Sequence, residues 1–147
     1  MVAAKYGALD IVAEKAADGK PATGINIMKD LIANTADLRG VFVLDPVMTL
    51  AVGQAVAEKK SDDKINIVGV GSDEKLVKLL QDDVIAGLVL EDPFRMGYDS
   101  VQTAVEKLNG GTPKKIQNLP PLLVTKENLN DPGVQKQLKP DLEKYLK

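Results

Sequence analysis

Residues Ile67 to Gly110 read IVGVGSDEKLVKLLQDDVIAGLVLEDPFRMGYDSVQTAVEKLNG. The run opens on a strand, Ile65–Val70, rich in β-branched residues. Asp73–Gln81 follows with Leu76, Val77, Leu79 and Leu80 at helical spacing. Val84–Leu90 is a second short apolar run of the length a buried strand needs. Pro93–Leu108 is a longer amphipathic helix, stopped by Asn109-Gly110-Gly111-Thr112-Pro113, with Gly past the end and Pro beyond. Strands alternating with helices at this spacing place parallel strands side by side, with helices packed on them.

Working outward, the same alternation continues. On the N-terminal side, Leu9–Glu14 (LDIVAE) alternates as a half-buried strand does, and Gly19-Lys20-Pro21 breaks it. Pro21–Asn34 carries Ile25, Met28, Leu31 and Ile32 at helical spacing, and a turn at Asp37–Gly40 follows. Val41-Phe42-Val43-Leu44 is a continuous apolar run, expected of a strand covered on both faces. Pro46–Lys59 is helical, and Lys59–Lys64 is a charged turn. On the C-terminal side, Leu122–Thr125 is a last short strand, and Val134–Leu146 holds one or two helical turns. The fold class is therefore α/β, a three-layer αβα arrangement with a mostly parallel sheet. We divide the chain into an αβ core (1–91), a crossover helix and linker (92–120), and a closing strand with a tail (121–147), together forming one compact domain.

The bulk numbers exclude several function classes. The 147 residues carry a net charge of −2, with both signs spread along the chain. That balance offers no electrostatic footprint for nucleic acid or an anionic membrane. There is no Cys and no His, so no thiolate nucleophile, Ser-His-Asp triad or His-based zinc site can be built from this chain alone. Carboxylate, Lys or Tyr chemistry remains open. No apolar run approaches the ~20 residues of a membrane-spanning helix. The first eight residues show no basic segment followed by an apolar one, so no signal peptide is visible.

The informative residues lie at strand ends. Leu44-Asp45-Pro46 follows one strand and Glu91-Asp92-Pro93 another, while Gly69-Val70-Gly71-Ser72-Asp73-Glu74 closes a third. Asp followed by Pro suits a helix start, since the Asp accepts from free backbone N–H groups and Pro fits the first helical position. A lone Asp-Pro is explained by capping. Geometry offers a second reading, because ligands of open parallel sheets bind beyond the carboxyl ends of the strands. Asp45, Glu91 and the Gly71-Ser72 turn all fall at that edge. Asp92 already serves Pro93, so Glu91 is surplus as a cap, and a carboxylate straight after a buried strand calls for a partner such as a polyol hydroxyl. Acidic strand ends also suit Mg²⁺, but the chain has neither a Walker-type glycine loop nor the third glycine of a dinucleotide loop.

These segments together resemble type I periplasmic sugar-binding proteins, the ribose-, allose- and galactose-binding kind, whose fold the effector domains of LacI-type repressors share. EDPFRMGYDSV resembles the family's Q-D-P-F-x-M-G crossover. VFVLDPVMTLAVGQAV resembles its V-F-A-x-N-D-x-M-A-L-G-A segment, and LLVTKENL (Leu122–Leu129) its closing strand. The match runs from about Leu9 to Leu129. It implies a flavodoxin-like lobe, and it places Asp45 where the family usually has a sugar-bonding Asn and Glu91 where it has a Gln. Both carboxylates keep the acceptor role and lose the donor. Gly71 stands where the family has an Asp that usually bonds sugar strongly, so either Ser72 or Asp73 substitutes or the binding of a pentose or hexose is weakened. Phe94 could pack on a ligand face, though a core role at the helix start explains it as well.

The resemblance further implies two similar lobes joined by three crossovers, of which this chain matches the second from the tail of its first helix. In the family, the helix matching Phe94–Leu108 packs on the first lobe. Here Met96, Val101, Ala104, Val105 and Leu108 are expected to form an exposed apolar stripe unless the helix folds back or meets another chain, such as a second copy in a homodimer through Phe94–Leu108. The resulting expectation is a non-enzymatic, substrate-binding component of an ABC-type sugar importer. Its ligand-binding residues would be Asp45, Gly71, Ser72 and Glu91, with a small-molecule sugar and an ABC permease as partners and with no cofactor, metal or nucleic acid. The expected home of the full-length parent is the periplasm. Two alternatives stay open, a LacI-type effector domain, which would need a DNA-binding headpiece, and a flavodoxin-like receiver or enzyme. A receiver would require a Lys after a later strand, and none follows Leu90.

Overall fold

The computed structural model of the chain describes residues 7, 9–59 and 64–143. Its order is α1 (Pro21–Asn34), β1 (Gly40–Val43), α2 (Pro46–Ala57), β2 (Asn66–Val70), α3 (Glu74–Gln81), β3 (Gly87–Leu90), α4 (Pro93–Leu108), β4 (Leu122–Val124) and α5 (Pro132–Leu138). The sheet runs β1-β2-β3-β4 in space, with β1, β2 and β3 parallel and β4 antiparallel to β3. This is the mostly parallel α/β fold expected, of the αβα class. Helix crossovers lead from β1 to β2 and from β2 to β3, so the carboxyl ends of all three parallel strands share one edge.

The pleat divides the sheet into unequal faces. Val43, Ile67, Leu88, Leu90 and Val124 are buried with Met28 of α1, Met48, Val52 and Ala55 of α2, and Leu76 and Leu80 of α3. Aliphatic side chains fill this core, as a chain with 3% aromatics requires. Close approach depends on glycines: a Cβ at Gly24 would lie 2.9 Å from Met48 Sδ, and one at Gly53 would lie 2.8 Å from Leu79 Cδ1. The polar side chains of Asn128 then turn the chain after β4. Its Oδ1 accepts from Thr125 N–H at 2.8 Å, and its Nδ2 donates to the Leu123 carbonyl at 3.0 Å.

Two expectations are corrected. The run Val41–Leu44 is not covered on both faces, for Phe42 is 62% and Leu44 77% exposed. A continuous apolar run reports hydrophobicity, not position, and β1 lies at the sheet's edge. Leu9–Glu14 forms no strand and is exposed throughout. Alternation selects faces, but a strand exists only when a neighbour accepts its backbone hydrogen bonds, and no strand of the described residues pairs with this segment. The charged turn at Lys59–Lys64 falls largely on residues 60–63, outside the described residues, as do the last residues of the Val134–Leu146 helical segment; of the latter, Pro132–Leu138 is helical.

Candidate functional site

The site is assembled from three turns at the carboxyl edge. After β1, Asp45 is extended and its Oδ1 accepts from Met48 N–H at 2.9 Å, which starts α2. After β2, Gly71 and Ser72 lead to Asp73, whose Oδ1 accepts from Lys75 N–H at 2.9 Å and Leu76 N–H at 3.1 Å. After β3, Glu91 precedes Asp92, whose Oδ1 accepts from Arg95 N–H at 2.9 Å and starts α4. All three Asp side chains therefore act as caps. In each case the capping bonds fall on Oδ1, one for Asp45 and Asp92 and two for Asp73.

Glu91 is different. It caps nothing, and it is exposed. Water solvates such a carboxylate, so the expected need for a buried partner does not arise; what remains is an acceptor facing an open cleft. That cleft, about 250 Å³, is lined by Pro46, Val70, Gly71, Ser72, Asp73, Glu91 and Pro93. Three of the four expected residues, Gly71, Ser72 and Glu91, thus share one cavity. Asp45 sits beside it through Pro46 and does not line it.

Gly71 can offer only backbone. Its φ is +138°, and a Cβ there would lie 2.4 Å from Leu76 Cδ1 and 3.1 Å from Pro46 Cβ. Its N–H already donates to the Val89 carbonyl at 3.2 Å. A side chain at this position would be strained, and the neighbouring polar groups on the cleft wall are the Ser72 hydroxyl and the Asp73 carboxylate. Phe94 is 36% exposed at the start of α4 and does not line the cleft.

A larger cavity, about 570 Å³, lies between α4 and the segment 112–119, lined among others by Arg95, Asp99, Glu106 and Gln117. Size alone does not make it the better candidate. None of the residues that line it follows directly on a parallel strand, and Arg95 and Asp99 at its wall already pair at 3.0 Å. Among the described residues no group of three or more His, Cys, Asp or Glu is arranged to hold a metal ion. Sequence reasoning missed one neighbour of the cleft, Thr49, whose hydroxyl reaches Val70, the last residue of β2. No periodicity or motif announces it, because its partner is 21 residues away.

Comparison with known proteins gives a consistent picture. A family model described as a periplasmic binding protein domain matches residues 2–112. The ribose import binding protein RbsB of Haemophilus influenzae is 28% identical over 101 residues, which is 69% of this chain and 34% of that protein. A carbohydrate transporter solute-binding protein from Agrobacterium radiobacter, solved in complex with D-arabinose, is 42% identical, with a TM-score of 0.87 over 94% of this chain and 47% of its own. A solute-binding protein of an ABC transporter from Burkholderia graminis, also in complex with D-arabinose, is 25% identical, with a TM-score of 0.78 over 87% of this chain and 46% of its own. The chain spans about half the length of these solved relatives, and a third of the curated one.

Proposed function

The chain belongs to the periplasmic binding protein domain family, and on that premise we propose that it forms one wall of a sugar-binding cleft serving an ABC-type importer, without catalysing a reaction. The observation that carries this reading is the convergence of Gly71, Ser72 and Glu91 in one cleft at the carboxyl edge of the sheet, in a chain that is 42% identical to half of a D-arabinose-bound solute-binding protein. Acceptors on Glu91 and Asp73 and one hydroxyl on Ser72 in the cleft, with Asp45 beside it, suit the hydroxyl donors of a polyol. Each group is solvated, so each hydrogen bond to sugar replaces one to water and contributes only modestly.

In this reading the second wall belongs to another lobe, and closure of the two around the ligand presents a surface to the permease. The crossover at 92–120 would join them. The parent is then exported to the periplasm, as the family's name implies. One wall supplies only part of the hydrogen bonds, so binding by this chain alone is weak. A ¹⁵N-labelled sample titrated with D-arabinose is expected to shift the amides of Ser72, Asp73 and Glu91 with a millimolar dissociation constant. Shifts confined to the segment 112–119 would transfer the site to the larger cavity, and sub-micromolar affinity would contradict the half-site reading.

Helix α4 supports the proposed pairing. None of its residues is buried, and Tyr98, Val101, Val105 and Leu108 are 53%, 63%, 46% and 86% exposed. Their spacing of 3, 4 and 3 residues lines them on one side of the helix, as a helix–helix seam requires. We propose that this side is covered by the other lobe in the full-length parent, and by a second copy when this chain is alone.

A further inference from the structure

The sheet is tied to α2, at the cleft end, through a single hydroxyl. Among the described residues Thr49 is the fully buried polar side chain. The pairing of β1 with β2 ends at Val43 opposite Gly69, so Val70, one residue further along β2, has no residue of β1 beside it. There the Thr49 hydroxyl takes over. Oγ1 accepts from Val70 N–H at 3.2 Å, lies 3.1 Å from the Val70 carbonyl, and lies 2.7 Å from the Asp45 carbonyl. It has one proton to give, and the shorter contact assigns that proton to Asp45, leaving a lone pair for Val70 N–H. The approach is possible because residue 69 is glycine: a Cβ there would lie 2.1 Å from Thr49 Cγ2 and 2.6 Å from Oγ1.

We infer that Thr49 is a positioning residue of the cleft, whose hydroxyl sets the separation between the Asp45 turn and the Gly71–Ser72 turn. Its functional half rests on the sugar reading above. A Thr within a helix often bonds back to the carbonyl four residues earlier, and that habit accounts for the Asp45 contact. It does not account for the link to Val70, which belongs to another element and directly precedes Gly71-Ser72. With both contacts, one atom holds the backbone of the Asp45 turn and of the strand residue that directly precedes the cleft-lining Gly71 and Ser72. A ligand that hydrogen-bonds across the two turns would meet a fixed spacing, and fixing groups before binding lowers the ordering cost.

The test compares the wild-type chain with Thr49→Val, which keeps the shape and removes the hydroxyl, and Thr49→Ser, which keeps the hydroxyl and removes the methyl group. Two readouts are taken on ¹⁵N-labelled protein: sugar-free amide exchange and chemical shifts, and titration with D-arabinose. In Thr49→Val, Val70 amide exchange is expected to accelerate about tenfold, the size of one lost hydrogen bond. Gly71 and Ser72 shift, Ile67 at the other end of β2 stays unchanged, and sugar affinity falls by a similar factor. Thr49→Ser should stay within about twofold of wild type in both readouts. Thr49→Val behaving like wild type, or Thr49→Ser failing alongside it, would overturn the inference. If none of the three proteins responds to D-arabinose, the sugar reading falls, and the sugar-free exchange and shifts alone decide the positioning role. Should Thr49→Val not fold, Thr49→Ala takes its place with the same expectations.

Discussion

At the scale of single residues, the cleft separates positions that build the fold from positions free to meet a ligand. Gly71 is of the first kind. Replacing it with Asp, the residue the family resemblance suggests, is not expected to restore a sugar contact, because the new Cβ would run into Leu76 and Pro46 at a φ of +138°. We expect Gly71→Asp to cost about 1–3 kcal/mol, seen as a lower urea midpoint with an unchanged slope. Glu91 is of the second kind. It is exposed, and it caps no helix. Glu91→Ala should leave stability within about 0.5 kcal/mol of wild type while weakening the D-arabinose-induced shifts at Ser72. A large loss of stability would show that Glu91 supports the fold and that its place at the cleft is incidental. Leu44-Asp45-Pro46 and Glu91-Asp92-Pro93 were legible as helix starts because capping is local chemistry. The lone Glu91 was legible as surplus because Asp92 already fills the capping position.

At the scale of elements, boundaries follow local signals wherever the element satisfies itself. Helix α4 begins at Pro93 behind a capping Asp92 and ends at Leu108 before Gly110, whose φ is +82°, as the sequence implies. Strands depend on neighbours, and here the reading failed for Leu9–Glu14 and for the outer face of β1. The loop after α3 shows another tertiary contact. Asp83, at φ +60°, hydrogen-bonds Lys126 beyond β4, and this bond from the Lys126 side chain holds the Asp83 carboxyl below the ordinary Asp range. A carboxyl with a lowered folded pKa stabilises above its unfolded value, and that contribution is lost as pH falls through the folded one. The Asp83–Lys126 contribution should therefore be intact at neutral pH, begin to decline near about pH 4, and be lost as pH falls through the lowered folded value. Because the pair is exposed, the effect is small. Melting temperatures of wild type and Asp83→Asn should differ slightly at pH 7, and the difference should shrink progressively as pH falls below about 4.

On the scale of the whole molecule, the question is what covers the surfaces that the sheet and α4 leave open. The core itself is well closed, with Ile67, Leu76, Leu88, Leu90 and Val124 at 0% exposure. Leu88→Ala should cost about 2–5 kcal/mol, measured by denaturant unfolding, since α2 and α3 cannot collapse onto a central strand. The seam of α4 behaves oppositely. Val101→Lys with Leu108→Lys should leave the core's stability nearly unchanged. If two copies pair through α4, light scattering will show a dimer for wild type and a monomer for the double variant. A monomeric wild type would assign the seam to the other lobe alone.

The sequence by itself determined the α/β class, the order of the helices and parallel strands, the helix starts and the edge at which the carboxyl ends of those strands meet. It could do so because periodicity, capping and the rule that parallel strands align their carboxyl ends are properties of local chain chemistry. Tertiary structure alone decided that β1 is an exposed edge, that Leu9–Glu14 pairs with no described strand, that a side chain at Gly71 would press on Leu76 and Pro46, and that Thr49 joins the Asp45 turn to the end of β2. Each of these depends on which segments, distant in the chain, come within contact of one another, and contact at a distance leaves no mark in the spacing of residues.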